Sequence, residues 1–190
     1  FTADIQNVED HPGQGVFIDR TEGWGFDTVA AYYALADDDW RALAKPWAET
    51  IVDFFLVGQS DCDGLIMSFP HPDHMGGQYR LVQSISEAII GNGLWGMRTT
   101  MFDSVDEVYA DRINQLILGS VQGMTGPKVW DAGASTFHFY TALGDYDQDS
   151  PPFCNYVPTD GNLYSDNWQT WNIRLSCTFS GSLTAWKTPA

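Results

Sequence analysis

The stretch "TVAAYYALADDD", residues 28 to 39, returns in altered form as "TFHFYTALGDYD", residues 136 to 147. Six of the twelve positions match at an offset of 108: Thr28/Thr136, Tyr32/Tyr140, Ala34/Ala142, Leu35/Leu143, Asp37/Asp145 and Asp39/Asp147. Half that offset lands on "VQSISEAIIGNG", residues 82 to 93, with Ala88 and Ile89 at the Ala and Leu positions. Similarity at a fixed period marks repeated supersecondary units, which bury their apolar faces by stacking on one another. The period predicts three equivalent rungs, each opening a helical hairpin.

The first hairpin has the clearest signals. Asp27 is a good N-cap for a helix reaching Ala36, with Val29, Tyr32, Tyr33 and Ala36 at buried-face spacing. "DDD" turns the chain into a second helix, 39 to 58, with a stripe of Trp40, Leu43, Trp47, Ile51, Phe54 and Phe55. Pro46 predicts a kink or a restart inside it. After a long loop, a third helix starts near Gln78, carries Val82, Ile85 and Ile89, and stops at "GNG". Ser104 and Glu107 form a capping box for a fourth helix striped by Tyr109, Ile113, Leu116, Ile117, Ser120 and Met124. A fifth, rich in small residues, is expected from Asp131 to Gly144. Short small-residue helices alternating with long bulky ones suit an inner and an outer ring.

Beyond residue 147 the pattern changes. "DSPPFCNYVPTDGN" is loop, and "WNIRLSCTF", 171 to 179, alternates apolar and polar residues at strand period. The expected fold class is therefore mainly α, a partial set of helical hairpins with a C-terminal β-hairpin. Residues 1–147 form the hairpin region, and 148–190 the Pro-rich loop and β appendage of the same domain. Cys62, Cys154 and Cys177 lack zinc spacing. Three cysteines permit one disulfide plus a thiol, or three thiols; a Cys154–Cys177 bridge would tie the loop to the last strand.

Nine Lys and Arg face twenty-five Asp and Glu, a net charge of −16. Nucleic acid needs a basic surface and anionic membranes favour one, so neither is an expected partner. No apolar run is long enough to span a bilayer. Phe1 follows neither an initiator Met nor a charged-then-apolar leader, so we expect a processed, extracellular or cell-surface chain. P-loop, GxGxxG and GxSxG signatures are missing, which leaves nucleotide and serine-esterase chemistry without support.

"RTEGWGFDTVAAYYALADDDWRALAKPWAETIVDFFLVGQSDCDG", residues 20 to 64, resembles a hairpin of the (α/α) toroid proteins, with its aromatic inner helix, acidic turn, long outer helix and "Q…DG" exit. That group includes six-hairpin glycoside hydrolases and toroidal polysaccharide lyases. The resemblance spans residues 20 to 147, and a closed toroid would need further hairpins, so this chain would be either part of a larger enzyme or an open helical-hairpin protein with no enclosed cavity. It implies a substrate cleft over the amino ends of the inner helices. There Asp27 and Asp131 would be the catalytic carboxyl pair, with Glu22 and Asp73 as substitutes. Arg20, Trp24, His74, Gln78, Tyr79 and Trp130 would bind substrate, the tryptophans by stacking on sugar rings. An acidic chain repels anionic polymers, so a neutral glycan and a hydrolase fit better than a uronate lyase using His74, Tyr79 and Arg80.

No cofactor is required by this reading. Asp145, Asp147 and Asp149 in "DYDQDS" match the opening of a Ca2+ loop at positions 1, 3 and 5. "HPDH" and "DCDG" are weaker metal candidates. The competing expectation is a non-catalytic assembly protein, whose open hairpin ends and strand edge pair copies into homo-oligomers.

Overall fold

The structure, a computed structural model, describes residues 8–9, 12–18, 20–67, 69–70, 79–103, 105–126, 129–131, 136–137 and 140–145. Its elements are α1 (Arg20–Leu35), α2 (Asp38–Gly58), β1 (Phe69–Pro70), β2 (Tyr79–Gln83), α3 (Ser84–Met97), a π-helical turn (Arg98–Phe102), α4 (Glu107–Met124), β3 (Trp130–Asp131), β4 (Thr136–Phe137) and β5 (Tyr140–Asp145). The described part is mainly helical. Among the described residues no helix is long and apolar enough to cross a membrane.

The helices form two stacked αα-hairpins. Tyr32 meets Trp40 edge-on at 4.5 Å and Phe26 meets Phe55 at 5.6 Å, so α1 and α2 run antiparallel. Arg98 donates to Asn114, and Ser120 donates to Glu87, which sets α3 against α4 in the same way. Between hairpins the like helices are parallel. Gly23 of α1 lies on Ile89 and Ile90 of α3, and one turn or two later Asp27 and Ala30 reach Gly96. Lys45 and Asp53 of α2 and its C-cap Gln59 contact, in ascending order, the α4 N-cap Asp106 and then Arg112 and Leu116 of α4. Ile51, Phe55, Ile90, Leu94, Phe102, Ile113 and Leu116 fill the core between the layers.

Each end has its own chemistry. Asp37 caps α2, accepting from Trp40 N–H at 2.9 Å, as the acidic turn predicts. Asp37→Ala should cost about 1 kcal/mol in urea denaturation. Arg41 folds back onto the end of α1, donating to Tyr33 O at 3.0 Å and Ala34 O at 3.2 Å, where orphan carbonyls and the helix dipole favour a cation. α2 runs unbroken through Pro46 rather than restarting there. Its buried stripe is Ala44, Ala48, Ile51, Val52 and Phe55; Leu43, expected inside, is 76% exposed because the small alanines make the close contact. The α4 stripe is as expected, with Tyr109 half-buried at its margin.

Several boundaries differ from the sequence expectation. α1 starts at Arg20, so Asp27 is a mid-helix residue and not an N-cap. "EGWG" reads as a breaker in isolation, yet Gly23 is required where α3 crosses. α3 starts at Ser84, not Gln78, because Tyr79–Gln83 pairs as a strand, and it runs through "GNG" to Met97. α4 is capped by Asp106, whose Oδ1 accepts from Tyr109 N–H at 3.3 Å. Ser104 of the expected capping box lies outside the described residues.

The fifth helix is replaced by strands. β5 pairs antiparallel with β2, which also pairs with β1, in the order β1-β2-β5, with a bulge between Tyr79 and Leu81. β3 pairs with β4, Trp130 opposite Phe137. Thr136, Phe137, Tyr140 and Thr141 are strand formers, and the long-range partner β2 decides the outcome over the local resemblance to α1. The twelve-residue phrase is thus mainly helix in its first occurrence and strand at the described residues of its second, 136–137 and 140–145, so the offset of 108 is not a structural repeat. The hairpins that do repeat open at Arg20 and Ser84, with outer helices at Asp38 and Glu107, a wider spacing than 54. The expected C-terminal β-hairpin lies outside the described residues.

The amino ends of α1 and α3 sit at the same end of the stack as the carboxyl ends of α2 and α4. There the segment 12–18 threads across, with Gly15 N–H donating to Gly58 O and Val16 N–H to Ile66 O, both at 2.6 Å. The loop 59–67 lies beneath it. Gln59 donates to Gly64 O at 2.6 Å and Leu116 O at 2.8 Å, tying the loop to α4. Gly64 has φ +75°, and a Cβ there would stand 2.6 Å from Gly119 O, so only glycine serves. The "Q…DG" exit therefore clamps a loop onto a helix. Cys62 within it is disulfide-bonded; the expected Cys154–Cys177 bridge lies outside the described residues.

Candidate functional site

The sequence-predicted site residues fall into three groups. Arg20, Glu22, Trp24 and Asp27 occupy the first two turns of α1. Trp24 is 53% exposed. Asp27 is also exposed at its rim, but its carboxyl approaches Gly96 of α3, and partial burial raises its pKa above the ordinary carboxylate range. Glu22 is half-buried. A second group lies on strands: Tyr79 of β2 is in register with Asp145 of β5, and Trp130 and Asp131 form β3. Asp73, His74, Gln78, Asp147 and Asp149 are the third group, outside the described residues. Among the described residues no three His, Cys, Asp or Glu converge as a metal site.

The most unusual carboxylate is one that sequence reasoning missed. Glu87, in the first turn of α3, is fully buried. Its Oε1 accepts from Ile66 N–H at 2.9 Å and Ser120 Oγ–H at 2.5 Å, and its Oε2 accepts from Met67 N–H at 2.8 Å. One side chain thus joins α3, α4 and the loop 59–67. Burial pushes its pKa up to about 7; the three donors pull the other way, and Asp63 adds to the rise. Beside it Ser86 donates to Gln83 Oε1, so the start of α3 is a buried polar cluster. The available signal was a single charged residue in "SISEAIIGNGLWGM", which looks like an ordinary first-turn acid.

The described cations are largely committed inside the fold. Lys45 bonds Asp106 at 3.3 Å, Arg98 bonds Asp103 at 2.7 Å, and Arg112 bonds Asp53 while stacking over Tyr109. The amide of Tyr109, then Lys45, hold the Asp106 carboxyl below the usual range. The bond from Tyr109 to Asp53 raises the phenol.

No family model, curated protein or solved structure matches this chain.

Proposed function

We propose that this is an extracellular carbohydrate-active domain, a partial (α/α) toroid that takes a neutral glycan over the amino ends of α1 and α3. The observation that carries this reading is the parallel inner pair, α1 beside α3, with Trp24 exposed and Asp27 one turn further on. An exposed indole offers a flat apolar platform of the kind a sugar ring stacks on. Hydrolysis would use Asp27, whose raised pKa suits a general acid, with Asp131 as partner. The disulfide at Cys62 favours an oxidising compartment.

Titration with a panel of neutral oligosaccharides, followed by tryptophan fluorescence and by thermal shift, tests it. Trp24→Ala should weaken binding by at least about tenfold, with little change in Tm, because Trp24 is largely outside the core. Asp27→Asn should abolish any hydrolysis while leaving binding intact. A panel that moves neither signal sinks the reading.

A second reading has its own observation. Leu35 is 86% exposed and, with the exposed Tyr32 and Leu43, makes the turn end of the first hairpin apolar. An uncovered hairpin face favours self-assembly. Sedimentation equilibrium would show dimers or higher species at micromolar concentration, and a clean monomer would exclude it.

A further inference from the structure

Glu87 is used by neither reading, yet it is the one charged residue of α3 and it sits at a junction of three chain segments. We propose that Glu87 is a proton-operated latch: with its carboxyl protonated, the loop 59–67 is fastened to α3 and α4, and ionisation favours the loop's release into water. The geometry supports this in three ways. The carboxyl is fully buried, and its bonds to Ile66 and Met67 join the Val16 N–H bond to Ile66 O in holding the loop's far end, while Ser120 ties it to α4. Among the described residues it has no cationic partner, so its charge is opposed by hydrogen-bond donors and the α3 amino terminus alone.

Among the described residues no cation lowers this cost; α1, packed on α3, contributes Arg20 and Glu22 at its start, and neither bonds Glu87. From the loop, Asp61 and Asp63 are the titratable groups, and Asp63 disfavours ionisation. Residues 116–124 of α4 and the segment 12–18 contain no charged side chain, and Cys62 is held in its disulfide. Protonation is also chemically accommodated. Ser120 Oγ, which donates to the carboxylate, can rotate to accept from the Oε1–H of the acid, while Oε2 keeps the Met67 N–H. Both protonation states are therefore hydrogen-bonded when closed, and the difference between them is the cost of burying the charge. Opening the loop hydrates Glu87 and removes that cost, so alkaline conditions favour opening.

The latch covers the amino end of α3, so it would control access to that end whatever the domain binds. Amide hydrogen exchange of the intact chain, corrected for intrinsic rates, reads it directly. The opening constant at Ile66 and Met67 should rise roughly 50- to 100-fold from pH 5 to pH 8, following the shift of Glu87 toward 7, while Ile51 and Val52 in the α2 core stay protected. Glu87→Gln cannot ionise and should flatten the response. Ser120→Ala removes a donor to the charged form, so the rise should continue to higher pH before it levels and be larger than in the native protein, and it serves if the Gln variant fails to fold. A pH-independent opening constant at Ile66 and Met67 overturns the latch. So does an opening constant at Ile66 and Met67 no larger than that at Ile51 and Val52, which would mark whole-domain unfolding instead.

Discussion

Replacing Gly93 by Ala should destabilise the domain by about 2–3 kcal/mol, although alanine is the better helix former. A Cβ on Gly93 would stand 2.6 Å from Gly23 O and 2.8 Å from Phe26 Cβ, and the first of these is backbone. Backbone cannot rotate away, so α1 and α3 would have to separate along their whole crossing. Gly93→Val should cost more, since its γ carbons enter the same contact. Gly25 provides the opposite case on the neighbouring helix. It is exposed with nothing within 4 Å of a built Cβ, so Gly25→Ala should stabilise by about 0.5–1 kcal/mol. Urea denaturation of the three variants decides the matter. If Gly93→Ala and Gly25→Ala shift stability in the same direction, the glycine crossing is not what holds the inner helices together.

That crossing also explains what could be read from the sequence and what could not. The α2 and α4 helices were legible because each buries one face and wets the other, which writes a 3.6-residue stripe into the chain. α3 is buried on nearly every side, from Ser84 to Met97, and so has no polar face to mark its period. Its glycines looked like stops because a glycine that ends a helix and a glycine that admits a neighbouring backbone are the same letter. The same ambiguity displaced the start of α1 by about two turns. β5 was misread for a different reason. "YTALGD" resembles the end of α1, but its conformation is set by β2, some sixty residues earlier.

The candidate site divides along similar lines. Trp24 and Asp27 are placed on α1 by the same hairpin that the sequence suggested, although Asp27 does not cap it. Glu87 was hidden because nothing local distinguishes an acid at a solvated helix start from one sealed beneath a loop. The distinction lies in Ile66, Met67 and Ser120, which are far away in the chain and offer only backbone amides and a hydroxyl.

The second large effect is expected at Glu87 itself, and its sign depends on pH. Glu87→Leu keeps the approximate volume but strands two amides and a hydroxyl, each costing about 1–3 kcal/mol when buried unpaired, against some gain from the added apolar side chain. The net loss should be about 3–5 kcal/mol at pH 5. In the native protein the folded pKa of Glu87, about 7, lies above the ordinary 4.5. Its contribution is therefore fully present below pH 4.5 and is lost as pH rises through 7. From pH 5 to pH 8 the native protein should lose about 2–3 kcal/mol at this residue, a loss that the leucine variant cannot suffer. The difference between the two proteins should accordingly shrink to about 1–2 kcal/mol at pH 8. The other acidic groups titrate in both proteins and cancel. Urea denaturation at the two pH values and constant ionic strength measures the change, and an identical difference at both would mean that Glu87 stays ionised throughout and is a fixed anchor for the loop, not a titrating one.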